Sequence, residues 1–138
     1  MYEPNFTDII GVPFVDGGRN IKTGFDCWGL SLEVFKRYGF NLPDYKIGCF
    51  EFELIDERIE AQKDCWICCD SSAPPVPSLV VMRWGAGLMC NHTGVYIGAG
   101  RFIHTRQKIG VNIDLIDSPA WRKIIEGYYI PKPEVLGL

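Results

Sequence analysis

The sequence predicts an α+β domain in which one short buried helix packs on an antiparallel sheet. Three observations carry that prediction. Apolar residues recur at helical spacing only in the first half of the chain, around 24–39 and 52–66. From Leu79 onward the pattern becomes short runs rich in branched residues, separated by glycine and proline turns. A helical half followed by consecutive strands is the α+β pattern, and 138 residues with 47% hydrophobic content suffice for one core without disulfide staples. Residues 1–138 are therefore read as a single domain.

Asn5–Ile10 reads as a short helical turn. Glycines at 11, 17, 18 and 24 with Pro13 then make a turn-rich lead-in. This lead-in has neither the spacing of a dinucleotide loop nor the ending of a phosphate loop. Gly24–Gly39 is the strongest helical signal. Leu30, Val34 and Tyr38 form one stripe, and Trp28, Leu32 and Phe35 widen it. Thr23 or Asp26 can cap its start, Lys36 and Arg37 suit its last turn, and Gly39 can follow the C-cap.

Phe40–Tyr45 is a loop stiffened by Pro43, and Phe52–Trp66 reads as a second amphipathic helix. Residues 70–78, with prolines at 74, 75 and 77, form a connector inside the domain. Strands are expected at Leu79–Trp84, His92–Ile97, Arg101–Thr105, Ile109–Ile116 and Ile124–Ile130, with turns at Gly85-Ala86-Gly87 and Gly98-Ala99-Gly100. Ser118–Trp121 reads as a turn or short helix, and the tail from Pro131 is expected to be loosely held.

A net charge of −3 without a lysine and arginine block gives nucleic acid and anionic membranes little to bind. No apolar run is long enough to span a bilayer, so no membrane insertion is expected. Met1-Tyr2-Glu3-Pro4 lacks a basic signal-peptide start, which predicts synthesis in the cytoplasm and mostly reduced thiols among the six cysteines. Cys65-x-x-Cys68-Cys69 has no second pair at matching spacing. It reads as packing or surface loop, and neither a metal nor a cofactor is expected.

Cys27 falls in the first turn of the predicted helix, where unpaired N–H groups and the helix dipole favour a thiolate, the reactive form of cysteine. The chain has two histidines, and both lie in one predicted hairpin. If its loop is Gly98-Ala99-Gly100, then Ile97 pairs with Arg101 and His104 stands opposite Gly94. His92, Gly94, Tyr96, Phe102 and His104 then share a face, and the two imidazoles are diagonal neighbours. A two-residue or four-residue loop would put His104 on the other face, and the constellation would then need a bulge. With the rings together, one imidazole can take the thiol proton and the other can orient it. His92 is the better base, and Gly94 would leave room for a substrate or for the helix.

The run Gly24-Phe25-Asp26-Cys27-Trp28-Gly29-Leu30, followed by His92–His104, resembles the NlpC/P60 family of papain-like cysteine peptidases. The resemblance covers roughly residues 6–131. Trp28, the Gly18-Arg19 lead-in and the Leu42-Pro43-Asp44-Tyr45 turn are similar to the branch found in phage tails and prophage-derived tail modules. The resemblance implies Cys27 as nucleophile, His92 as general base and then acid, and His104 as the orienting third residue. Asp26 would support the turn, and the Cys27 N–H with a neighbouring donor would hold the oxyanion.

The implied reaction is hydrolysis of a peptidoglycan stem peptide, typically between D-glutamate and a diamino acid, through a thioester. Neighbouring phage-tail proteins are the implied partners, and a tail or tail-like particle acting at the cell envelope is the implied location. Two departures stand out. Phe14 occupies the place where relatives often carry a tyrosine, and Pro77-Ser78 replaces the usual Gly-Asp before the central strand. Two rival readings use the same residues: an amidase or acyltransferase on another amide or ester, and a structural tail-tip or assembly protein that retains the triad.

Overall fold

In the computed structural model, residues 3–45, 57–61, 63–83 and 92–137 are described. Asp26 starts the only helix of eleven residues among them, α1 (Cys27–Arg37): its extended backbone and its carboxylate, which accepts from the Gly29 N–H, make it the N-cap. Lys36 and Arg37 occupy the last turn, and Gly39 follows the Tyr38 C-cap at φ +96°. Leu30, Val34 and Phe35 are fully buried, as the stripe requires, while Trp28, Leu32 and Tyr38 are only half-buried.

Before α1, Arg19–Asn20 (β1) and Gly24–Phe25 (β2) pair as a small antiparallel ribbon. Phe14 joins it through a parallel bridge to Phe25. The lead-in is therefore more ordered than its glycines suggest, and it ends in the helix cap.

The second half forms Trp66–Cys69 (β3), Ser78–Met82 (β4), His92–Gly98 (β5), Arg101–Arg106 (β6), Gly110–Leu115 (β7) and Ile125–Pro131 (β8). They make one sheet in the order β3-β8-β4-β5-β6-β7, antiparallel at every joint. Leu79 and Val81 join Val95, Ile97 and Ile103 under Leu30, Val34 and Phe35 of α1. The alternate residues Val80 and Met82 pack with Tyr96, Phe102, Trp121 and Tyr128. Because both faces of β4 are covered, it reads as an unbroken apolar run, and all five of its residues are buried.

Several expectations need correction. The second helix does not reach Trp66. Residues 57–61 are helical, Lys63–Cys65 is a 3-10 turn, and Trp66 opens β3, because its ring is drawn into the core edge-on to Phe35. Cys68 and Cys69 consequently lie on an edge strand paired with Tyr129 and Tyr128, rather than in a loop. The tail is held: Lys132 N–H donates to the Cys65 carbonyl and Val135 packs against the core. Residues 118–124 form turns. The first central strand ends at Met82, and Phe52, Ile55, Trp84 and the Gly85-Ala86-Gly87 turn lie outside the described residues.

Candidate active site

The start of α1 is built by Asp26. Its side chain is 1% exposed and accepts from the Gly29 N–H at 2.7 Å, the Gly17 N–H at 3.1 Å and Arg19 Nη1 at 2.6 Å. Arg19 in turn donates from Nε and Nη2 to the two oxygens of Asp44, at 3.0 and 3.1 Å. Trp28 closes the same loop from the helix side, donating from Nε1 to the Pro43 carbonyl at 3.0 Å and stacking on Tyr45. Gly29 is required here, since a Cβ on it would lie 2.0 Å from the Gly18 carbonyl oxygen.

Cys27, the first residue of α1, is 6% exposed. Ser31 Oγ donates to the Cys27 carbonyl at 2.9 Å and lies 3.1 Å from Thr93 Oγ1, so the first turn is fastened to β5 one residue from His92. The expected thiolate is not the resting state. Burial, reinforced by the Asp26 charge, pushes the Cys27 thiol up to about 11, against the donors of Thr93 and the Trp28 N–H. The helix start supplies polar groups, but desolvation of the sulfur outweighs them.

The two histidines do meet. His92 Nε2 lies 2.9 Å from His104 Nδ1, with the rings at 66°. The route to that contact differs from the simple three-residue loop. Gly98 pairs with Arg101, which leaves the two-residue loop Ala99-Gly100, and the register then shifts between Tyr96 and Gly98. This bulge restores the parity, so that Tyr96 faces Phe102 and Val95 faces Ile103. Gly94 leaves no open space for substrate: a Cβ there would come 2.9 Å from the Ile103 oxygen and 3.0 Å from the His104 Cβ. Its missing side chain is what lets β6 carry His104 in beside β5.

His104 has no exposed surface and is packed between the rings of Phe102, at 4.5 Å, and Trp121, at 4.6 Å and perpendicular. Its Nε2 lies 2.7 Å from Asp114 Oδ2, which also accepts from Asn112 Nδ2 at 2.7 Å. Burial holds the His104 imidazole down at about 4, although Asp114 opposes the shift. Burial first, then the repulsion that a protonated His104 would add and the Arg106 charge, holds His92 well below the ordinary histidine range. Both rings are neutral at pH 7.

Cys27, His92 and His104 therefore lie on elements joined at one place, β5. Asp26 is part of the framework there, and Phe14 is half-buried in the bridge to Phe25. Asp114 is the residue that the sequence reading misses. The signal for it is the alternation Val111, Asn112, Ile113, Asp114, Leu115: with Asn112 opposite His104, Asp114 is the diagonal polar neighbour on the same face. Cys65, Cys68 and Cys69 carry free thiols, and among the described residues no cluster of three or more His, Cys, Asp or Glu could hold a metal ion.

Comparison with known proteins identifies the family. A model of the NlpC/P60 family matches residues 11–128. The γ-DL-glutamyl hydrolase of Bacillus subtilis (strain 168) is 31% identical over 124 residues, covering 86% of this chain and 26% of the relative. The murein DD-endopeptidase MepS/murein LD-carboxypeptidase of Escherichia coli K12 is 29% identical over 119 residues, covering 86% of this chain and 55% of the relative. A solved NlpC/P60 family protein from Bacillus cereus ATCC 10987 superposes with a TM-score of 0.65 at 21% identity, covering 92% of this chain and 40% of that one. The chain thus spans about a quarter to about half the length of these curated relatives.

Proposed function

The chain belongs to the NlpC/P60 family, and from that membership we propose that it is a cysteine endopeptidase acting on the stem peptide of bacterial peptidoglycan, at the amide between D-glutamate and the diamino acid. The observation that carries the reading is the pair of neutral imidazoles 2.9 Å apart, one of them, His92, on the strand that holds the Cys27 turn. The activities for which the relatives are named, glutamyl hydrolysis and murein endopeptidase cleavage, favour that substrate class.

The proposed cycle begins with a thiol rather than a thiolate. As Cys27 Sγ attacks the scissile carbonyl, its proton passes to His92, and the carbonyl oxygen becomes an oxyanion beside the Cys27 N–H. Collapse of the tetrahedral adduct expels the amine, which takes the proton back from the His92 imidazolium and leaves a thioester. Water, deprotonated by His92, then hydrolyses the thioester. His104 holds the His92 ring throughout. Phe14 has no hydroxyl to offer the oxyanion, so this scheme relies on backbone donors at the helix start.

We assign the protein to a phage or phage-like tail, working at the cell envelope beside other tail proteins. The support is that the three features resembling that branch form one contact network: Arg19 grips Asp44, while Trp28 bonds Pro43 and stacks on Tyr45. The test is to incubate wild-type and Cys27→Ser protein with purified Gram-negative and Gram-positive peptidoglycan and to identify released peptides by mass spectrometry. New ends between D-glutamate and the diamino acid, seen with wild type alone, are expected. No cleavage by folded, reduced wild type on either wall would overturn the peptidase reading in favour of a structural tail role.

A further inference from the structure

We propose that Asp114 is a positioning residue that sets the tautomers of both histidines, so that the lone pair needed for proton abstraction lies on His92 Nδ1. The inference rests on the reading of His92 as the base. It follows from counting protons along one chain of contacts.

The Asp114 carboxylate is ionised, since its bonds to His104 and Asn112 and the charge of Arg106 outweigh its partial burial and hold its pKa below the usual value. An ionised carboxylate only accepts. Across the 2.7 Å contact, His104 Nε2 must therefore carry the hydrogen. A neutral imidazole has a single N–H, so His104 Nδ1 presents a lone pair. His92 Nε2, 2.9 Å away, must then be the donor. His92 is neutral as well, and its remaining nitrogen, Nδ1, holds a lone pair. When the thiol proton arrives there, the S–H bond breaks, an Nδ1–H bond forms, and the imidazolium still donates from Nε2 toward His104 and, beyond it, the Asp114 charge.

Without Asp114 the opposite chain becomes available. His104 Nδ1–H would donate to His92 Nε2, and the hydrogen on His92 would move to Nδ1. A base in that form cannot accept the thiol proton. Among the described residues, the charged groups that act on the pair are Arg106 on β6 and Asp114 on β7, with Asn112 bound to the same carboxylate oxygen. Trp121 and Phe102 wall His104 in and offer its ring nitrogens no acceptor stronger than the carboxylate.

The test uses protein labelled with 15N-histidine and two-bond 1H–15N correlation spectra at pH 7. Wild type is expected to show both imidazoles as neutral Nε2–H tautomers. Asp114→Asn is expected to give an Nδ1–H population on His92 and to lower kcat roughly 10- to 100-fold, with KM little changed and partial recovery in Asp114→Glu. An Nδ1–H or doubly protonated ring in wild type would overturn the proposal, as would Asp114→Asn with unchanged tautomers and unchanged kcat. The spectra need no substrate, so a wrong tautomer is distinct from absence of peptidase activity, and the wild-type spectrum decides even if the variant does not fold.

Discussion

Two aspartates flank the site, one on each side, and they do opposite things. Asp26 sits beside the proposed nucleophile, 1% exposed and saturated by two backbone N–H groups and Arg19. Its charge works against ionisation of Cys27. Asp114 stands beyond the second histidine, partly in solvent, and bonds to His104 and Asn112. Its charge works with proton transfer toward the histidines. A buried carboxylate next to a reactive group is thus not by itself a catalytic feature. Asp26 builds the helix start that presents the sulfur but adds its charge to the burial that holds the thiol at about 11, and the base side must make up the difference.

The largest expected effect tests whether both sides serve one chemistry. Cys27→Ala should abolish release of wall peptides in the mass-spectrometric assay while the far-UV spectrum and melting stay near wild type, because only a small buried thiol is lost. On the base side, His92→Ala should cost nearly as much, roughly 10³-fold or more in kcat/KM, whereas His104→Ala should cost less, because orientation rather than the proton acceptor is removed. Equal losses for the two histidine variants would mean that the pair cannot be divided into base and orienting residue.

The next effect separates the aspartates by stability. Asp26→Ala removes the cap of α1 and leaves Arg19 with only the Gly18 carbonyl and Asp44, so urea unfolding should show a loss of about 3 kcal/mol. Asp114→Ala removes a partly exposed group but leaves the buried His104 Nε2–H without that acceptor, so it should cost about 1–2 kcal/mol, less than the loss at Asp26. If Asp114→Ala proved the more destabilising, the division into a framework carboxylate and a chemical one would fail.

The elements that position the site are legible in the sequence to different degrees, for physical reasons. The helix is legible because cap, stripe and last-turn cations all agree on one register. The strands of the second half are legible because β4, buried on both faces, and the alternating hairpin strands carry strong periodicity. The His92–His104 contact is legible only conditionally: it depends on loop parity, and the bulge at Ile97 is not encoded by any turn residue. Asp114 is hidden because its role depends on the register of a third strand. The state of Cys27 is hidden because a helix start signals N–H groups, while burial of the sulfur is a tertiary property. Trp66, the first residue of β3, is misread as the end of a helix because Ile59 and Trp66 fit a helical spacing, whereas Trp66 is claimed by Phe35 across the core.

The last effect concerns pH, and within the site it assigns the acid sensitivity to the base side. Both histidines have folded-state pKa values below the ordinary 6.5, His104 at about 4. The unfolded chain therefore takes up protons that the folded protein refuses as pH falls below about 6.5. The stability held by the neutral pair is complete above that pH and is lost progressively on the way down toward the folded values, with a limiting slope of about 1.4 kcal/mol per pH unit for each histidine. Cys27 titrates only in the alkaline range and adds nothing to this limb. Melting temperature measured from pH 7 to 4.5 should thus fall, and His104→Gln should flatten the fall by removing one of the two refused protons. Cys27→Ala should leave its shape as it is. A Cys27→Ala curve that flattened equally would mean that the thiol and the imidazoles titrate as one unit, and the two sides of the site would no longer be separable.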